Sequence, residues 1–379
     1  MVISDTLPSE NMRKRLVFTL SLLLATWIPM VFFITVGMSD ASTASVQNTK
    51  ALLLLIGAIH VPATCLLYID RDFLRLIPAN RSRYLYLPIA LSIGSGVLFA
   101  FGGLVSQVYV YLMFWAWQAY HYGRQNIGVY SFAALAQGWR PRQAEKRVLQ
   151  VATACGVCGT FKILAMGIAP SYLHGVFDAL HRAGYWAFIG VLLVSIHVFL
   201  KSRQDFSPMK ALFFFTFVLF FFPIFLWNNV DGAFFSYAIG HGAQYLVFMT
   251  VLSVNIGKNG DRRDVSRIMM AVGVFVMLVG LVGYYATALK GSDWTEGSAT
   301  WSRLLDFMVG ISVGTTIAHF VIDAGAWRLS QSSTKEFVAR RFVFLFGNRV
   351  PGVGPTSSAV VAGPIPLPPP SHSVASDAH

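Results

Sequence analysis

ALFFFTFVLFFFPIFLW, residues 211–227, is apolar around its whole circumference and carries no ionisable side chain. A helix of this kind has no polar face to turn toward water, so it belongs in a core or in lipid. Comparable apolar runs recur from residue 16 to residue 327. Over 379 residues, 55% are hydrophobic and 12% charged, with a mean hydropathy of +0.59. Soluble domains carry about 25% charged residues. The chain therefore reads as an all-α, polytopic transmembrane helix bundle. About ten spans are expected, near 16–38, 50–69, 84–104, 106–129, 146–169, 185–201, 210–228, 234–256, 267–289 and 303–327. The 211–227 run is assigned to lipid contact and packing. The first run lacks a small-x-small cleavage site and is followed by further spans, so it reads as a transmembrane helix and not a signal peptide.

The net charge of +12 would point to nucleic acid in a soluble protein. Here the cations gather in alternate loops: Arg13-Lys14-Arg15, Arg71 to Arg83, Arg140 to Arg147, Lys201 to Lys210, Lys258 to Arg267, and Arg328 onward. That alternation is the positive-inside pattern of membrane proteins. It predicts a multi-pass protein of the cell (inner) membrane, with both termini cytoplasmic and lipids as partners. Nucleic acid is not an expected partner. Even-numbered spans then run from outside to inside. The expected organisation is a cytoplasmic segment over 1–15, a transmembrane helical domain over 16–328 and a cytoplasmic tail over 329–379. From about residue 350 the tail is rich in Pro, Gly, Ser and Ala, a composition expected to be disordered or polyproline-like. The three cysteines, Cys65, Cys155 and Cys158, lie in apolar runs and form no disulfide framework. The Cys155–Cys158 spacing suits small residues packing helix on helix.

One stretch breaks the apolar rule. FWAWQAYHYGRQNIGVYSF, residues 114–132, packs Gln118, His121, Arg124, Gln125 and Asn126 into nine positions. Four other spans also hold a histidine, so His60, His121, His197, His241 and His319 fall one each in spans two, four, six, eight and ten. Each of the four deep ones has polar company at helical spacing: Gln118 and Gln125 beside His121, Gln244 and Tyr237 beside His241, Asp323 and Thr316 beside His319. Pro62 follows His60 and frees a backbone carbonyl. Polar side chains in hydrocarbon are unfavourable unless they share a partner. A metal ion is one such partner, with an amide or carboxylate fixing the tautomer of each imidazole.

His60, His121, His241 and His319 are thus the candidate metal ligands, with Gln125, Gln244 and Asp323 placed to orient them. His197 lies near the membrane edge and meets headgroups or joins the set. Arg124 snorkels or fixes an acidic group. Residues 171–184 are expected to form a short interfacial helix with His174, Asp178 and His181 on one face, either a metal-binding or a solvated face. A di-iron site needs several inward carboxylates, and Asp323 is the one deep acidic residue. The set suits mononuclear non-haem iron first, with haem or zinc as alternatives.

The segments HYGRQNIG (121–128), HGVFDALH (174–181), HGAQYL (241–246) and HFVIDAGAWR (319–328) resemble the spaced histidine motifs of the Brp/Blh-like membrane β-carotene dioxygenases. The resemblance covers these four patches and implies histidine-held iron and oxygen-dependent cleavage of a polyene. That family favours acidic residues beside its histidines, where this chain has Gln125 and Gln244. The leading expectation is an iron-dependent membrane oxygenase acting on a lipophilic polyene or lipid, with Trp115, Trp117 and Tyr120 lining an apolar tunnel or simply packing. The alternatives are a haem-binding electron-transfer protein and a transporter that relays protons through the histidines.

Overall fold

The computed structural model describes residues 10–37, 60–167, 169–227, 230–256 and 299–346. The first part of the expected span at 50–69, the span at 267–289, the basic loop at 257–267 and the Pro-rich tail lie outside the described residues. Every element described is helical. We label the main ones α1 (Glu10–Phe32), α2 (His60–Ile69), α3 (Leu87–Phe101), α4 (Gly103–Gln137), α5 (Gln143–Gly167), α6 (His174–Lys201), α7 (Pro208–Leu219), α8 (Val230–Ile256), α9 (Ala299–Ala326) and α10 (Ser332–Arg341).

Six helices are long and apolar enough to cross a membrane: Glu10–Thr35, Ser82–Phe101, Gln143–Ala165, Ser171–Lys201, Pro208–Phe225 and Ser302–Ala326. Helices α4 and α8 have the length, at 35 and 27 residues, but their polar side chains dilute the apolar run. Large apolar side chains face outward along the bundle, among them Leu24, Phe101, Leu104, Trp186 and Leu193. Such a surface would be an association hazard in water and suits a membrane-embedded bundle.

Local sequence accounts for the helix ends. Nothing between Gly103 and Gln137 interrupts α4, so it runs beyond the expected end at 129. It stops at Gly138, whose φ of +76° is left-handed and whose N–H returns to the Ala134 carbonyl; only glycine takes that conformation without strain. Residues 174–184 do not form a separate interfacial helix. They hold no proline and, despite Gly175 and Gly184, are the first turns of α6, with Gly184 buried against Cβ of Cys158. In the apolar run at 211–227, expected to serve both packing and lipid contact, packing dominates. Pro223 ends the α-helical part, a short 3₁₀ turn follows, and Phe213, Phe214, Phe217, Val218, Phe220 and Phe221 are buried. This helix packs against α1, α4, α5 and α6; it is core, and lipid contact is left to its edges at Leu212 and Leu226.

Helices pack in close pairs, α3 with α9, α5 with α6 and α1 with α8. The α3–α9 contact depends on Gly314, where an added Cβ would lie 2.3 Å from the Leu91 carbonyl oxygen. Small residues let membrane helices approach this closely.

The described basic segments meet at one end of the bundle. Arg15 donates to the Phe344 carbonyl at 2.5 Å, and Gln137 to Thr19 Oγ1 at 3.1 Å. Arg142 bonds Ser202 Oγ at 2.6 Å and pairs with Asp205. Arg341 Nε lies 2.6 Å from Asp70 Oδ2, and Arg340 Nη1 lies 3.3 Å from Asp72 Oδ1. The 332–346 segment therefore packs onto the bundle, with Phe337, Val338 and Phe342 in the core.

Candidate metal centre

Four helices converge on one buried point. His60 comes from the first turn of α2, His121 from the middle of α4, His241 from α8 and His319 from α9, and all four are 7% exposed or less. Ring centres lie 4.8 Å apart for His60–His241 and His121–His241, 5.1 Å for His60–His319, 5.7 Å for His121–His319 and 6.0 Å for His241–His319. A metal–nitrogen distance of about 2.1 Å puts a shared ion roughly 3.2 Å from each ring centre. Neighbouring centres then fall about 4.5 Å apart at right angles, about 5.2 Å at the tetrahedral angle and about 6.4 Å when opposed. The observed separations lie inside that window. One nitrogen from each of His60, His241 and His319 falls within 4.8 Å of the others, and so do ligand atoms of His121, His319 and Asp323.

The nitrogens themselves are poorly served by protein. Nε2 of His121, both ring nitrogens of His241 and Nε2 of His319 are buried without a hydrogen-bond partner. A buried polar atom left unpaired costs about 1–3 kcal/mol. Several such atoms around one point are the mark of a missing shared partner, so this donor set fits a metal ion. Gly242 helps assemble it: an added Cβ would lie 3.3 Å from His60 Nδ1, so a side chain there would press on the imidazole.

Aromatic rings cover the cluster. Phe320 stacks on His121 at 4.1 Å between ring centres, and Tyr122 lies over His241 at 4.6 Å. Toward the basic end, about two to three helical turns along, Phe132 packs edge to face on Phe248 and Trp327, and Phe248 lies tilted against Trp327 and Phe342, an aromatic layer across the bundle. Sequence reasoning looked to Trp115, Trp117 and Tyr120 for an apolar lining. Trp117 and Tyr120 face outward, and Trp115 is half-buried beside Phe114.

The residues expected to orient the imidazoles are near, but act differently. Gln125 Nε2 donates to the His241 backbone carbonyl at 3.0 Å and to Gln244 Oε1 at 2.9 Å. Gln244 in turn donates to Asn126 Oδ1 at 2.9 Å and Thr26 Oγ1 at 2.8 Å. This amide network ties α8 to α4 and α1 and holds the backbone that carries His241, while the His241 ring is left open. Asp323 sits 3.5 Å from His319 Nε2 through Oδ2, on the side of the ring that faces the other histidines. The nitrogen with a firm partner is Nδ1, which lies 2.5 Å from Thr64 Oγ1. Asp323 therefore stands with the possible ligands and not behind them.

Thr64 and Tyr245 were missed in the sequence, yet a signal was there. Each histidine has a polar residue four positions on: Thr64 after His60, Gln125 after His121, Tyr245 after His241 and Asp323 after His319. That spacing stacks two layers on one face of each helix.

The remaining candidates stay apart. His197 and Arg124 are exposed on α6 and α4. His174 and Asp178 are exposed, with His174 Nε2 at 3.0 Å from the Ala169 carbonyl oxygen. His181 is half-buried and uses Nδ1 on the Gly159 carbonyl at 3.1 Å. Of the four histidine-bearing patches, 121–128, 241–246 and 319–328 reach the centre, and 174–181 does not. Compared with protein families, curated proteins and solved structures, the chain matches none.

Proposed function

We propose that His60, His121, His241 and His319 hold a single non-haem iron ion, and that the protein is a membrane oxygenase acting on a lipophilic polyene or lipid. The observation that carries this reading is four buried imidazoles with ring centres at shared-ion spacing, of which His121, His241 and His319 present ring nitrogens without a hydrogen-bond partner. The setting speaks against haem. Imidazoles whose ring centres stand 4.8–6.0 Å apart would leave little room for a macrocycle among them. Imidazole accepts zinc as readily as iron; zinc would keep the site and remove the oxygen chemistry. The three histidine patches that converge belong to the set that resembles the Brp/Blh-like dioxygenases, which supports iron and a polyene-like substrate.

Bound iron would supply the activation of dioxygen beside an apolar substrate. The protein's own part is legible in its side chains. Four neutral imidazoles would leave the charge of a bound ion in place, and an ionised Asp323 beside His319 would offset part of it. Phe320 and Tyr122 exclude water from two sides of the cluster. The aromatic seal at Phe132, Phe248, Trp327 and Phe342 blocks approach from the basic end, so a lipophilic substrate enters from the membrane side.

The topology belongs to the same proposal. The clustered basic segments face the cytoplasm of the cell membrane, both termini lie on that side, and α4 and α8 cross the bilayer despite their polar residues, within a total of about ten spans. Lipids and a lipophilic small molecule are the proposed partners.

Elemental analysis of the protein purified in detergent tests the centre. The expected result is near one iron per chain without a Soret band. Replacing His60, His121, His241 or His319 with Ala should abolish metal retention in a protein that still inserts and melts cooperatively. Stoichiometric zinc would remove the oxygenase reading; no metal in the parent, or metal undiminished in the variants, would remove the site.

A further inference from the structure

His319 makes one firm hydrogen bond, and it leads away from the cluster. Thr64 Oγ1 lies 2.5 Å from His319 Nδ1 and 2.9 Å from the Tyr245 hydroxyl. The Tyr245 hydroxyl also lies toward the Asp323 carboxylate without closing a hydrogen bond to it, and Asp323 Oδ2 is 3.5 Å from His319 Nε2. The four groups thus form an incomplete ring beneath the imidazole layer. They come from three helices: Thr64 from α2, Tyr245 from α8, and both His319 and Asp323 from α9.

Thr64 and Tyr245 have one hydroxyl hydrogen each, so with the Thr64 hydrogen spent within the chain it can run in two directions. In one, Tyr245 donates to Thr64, Thr64 donates to His319 Nδ1, and the ring proton sits on Nε2. In the other, His319 Nδ1–H donates to Thr64, Thr64 donates to Tyr245, and Tyr245 turns its hydrogen toward Asp323. Both use the short contact at Nδ1 and both end toward Asp323, so they differ in what they leave at Nε2. The first puts a hydrogen on Nε2, where the gap to Asp323 is 3.5 Å and no hydrogen-bond partner stands. The second sends the Tyr245 hydrogen toward a carboxylate that only accepts. It leaves the Nε2 lone pair facing the other three histidines.

We propose that Thr64 and Tyr245 are positioning residues: a hydroxyl chain running from His319 Nδ1 toward Asp323 that fixes the imidazole as its Nδ1–H tautomer and presents Nε2 to the metal. The proposal takes its purpose from the metal-centre reading, but the tautomer exists in the metal-free protein and is tested there. A threonine hydroxyl in this role restrains both the ring's rotation and the identity of the free nitrogen, which a carboxylate acceptor would otherwise do.

The test is ring-¹⁵N histidine NMR on metal-free protein in detergent, with the His319 signals assigned by their loss in His319→Gln. The parent should show a protonated Nδ1 and an unprotonated Nε2. Thr64→Val, close in shape and without the hydroxyl, should lose that preference, and Thr64→Ser should keep it. Tyr245→Phe cuts the next link and should weaken the preference in part; it serves as the reading if Thr64→Val fails to fold. An Nε2–H form in the parent, or an Nδ1–H form undisturbed in the variants that fold, would overturn the chain. Chelator competition with added Co²⁺ gives the second readout. Thr64→Val should bind about 10–100-fold more weakly, with Thr64→Ser near the parent, and equal affinities would likewise overturn it. A parent that binds no Co²⁺ or iron would sink the metal centre and leave the NMR result standing as the judgement on the tautomer.

Discussion

Two of the buried polar clusters among the described residues are finished to different degrees. Near the basic end, Lys210 Nζ lies 2.7 Å from Glu145 Oε1, with the two side chains 2% and 0% exposed. Tyr130 donates to Glu145 Oε2 at 2.8 Å and the Arg142 N–H does so at 3.2 Å. The ammonium lies over the Phe206 ring at 4.4 Å. Charge meets opposite charge, and the protein supplies the partners itself. Deeper in, the four histidines crowd round one point, and His121 Nε2, both His241 nitrogens and His319 Nε2 have no hydrogen-bond partner there. Burial of polarity is common to both; what separates them is the remainder. A cluster that satisfies itself holds helices together, and one with atoms left over calls for a ligand.

The largest effect that sharpens this contrast is on stability at the finished cluster. Lys210→Met removes the cation and leaves Glu145 buried beside Tyr130. Breaking a buried pair from one side costs about 3–5 kcal/mol, so thermal unfolding in detergent should show a strong loss while metal content stays at the parental level. Replacing both partners, Lys210→Met with Glu145→Gln, should recover most of the loss, because a double replacement leaves no buried charge unpaired. A Lys210→Met protein that melts with the parent but sheds its metal would erase the distinction between the clusters.

Asp323 comes next in size and sits on the boundary between the two kinds. Asp323→Asn keeps the shape and removes the charge next to His319 Nε2. If the residue serves the metal, affinity should fall about 10–100-fold with the melting temperature near that of the parent. Chelator competition and thermal unfolding, run side by side, read both quantities. Early melting with parental metal affinity would move Asp323 into the class of Lys210 and Glu145.

How much of this was legible in the sequence follows from what each feature depends on. Hydropathy along one helix marks α1, α3, α5, α6, α7 and α9, because each carries its own apolar run. It did not apportion α7 between packing and lipid contact, since an all-apolar helix looks the same whether its neighbours are lipid or protein. The deep histidines stood out against their surroundings, as did Asp323 four residues after His319. Gln125 and Gln244 were visible as polar residues, but their targets, the His241 carbonyl and each other, depend on how α4 and α8 face one another. Thr64 and Tyr245 are ordinary residue types in apolar helices, and only the repeated four-residue offset from a histidine sets them apart. The Glu145–Lys210 pair was hidden for another reason. Each residue sits in a basic loop region where a charge needs no explanation, and 65 positions of chain separate them.

The smallest expected effect tests whether helical spacing of histidines means anything by itself. His174, Asp178 and His181 sit at i, i+4 and i+7, as regular a face as His319 and Asp323 offer. In the structure this face belongs to the first turns of α6. His174 and Asp178 are exposed, and the two histidines bond the carbonyls of Ala169 and Gly159. Water and backbone satisfy these groups, so nothing is left for an ion to complete. His174→Ala and His181→Ala, separately and together, should leave metal content and chelator-competition affinity unchanged. His181→Ala should lower stability by about 0.5–1.5 kcal/mol through its lost bond to Gly159, and His174→Ala by less, because its imidazole is in water. Loss of metal from the double variant would show that the 174–181 patch joins the centre, as its resemblance to the other three patches suggests. The exposed position of His174 would then have to give way to an arrangement in which the start of α6 folds inward. Unchanged metal would leave burial with unanswered nitrogens, and not spacing, as the property that distinguishes a ligand histidine in this protein.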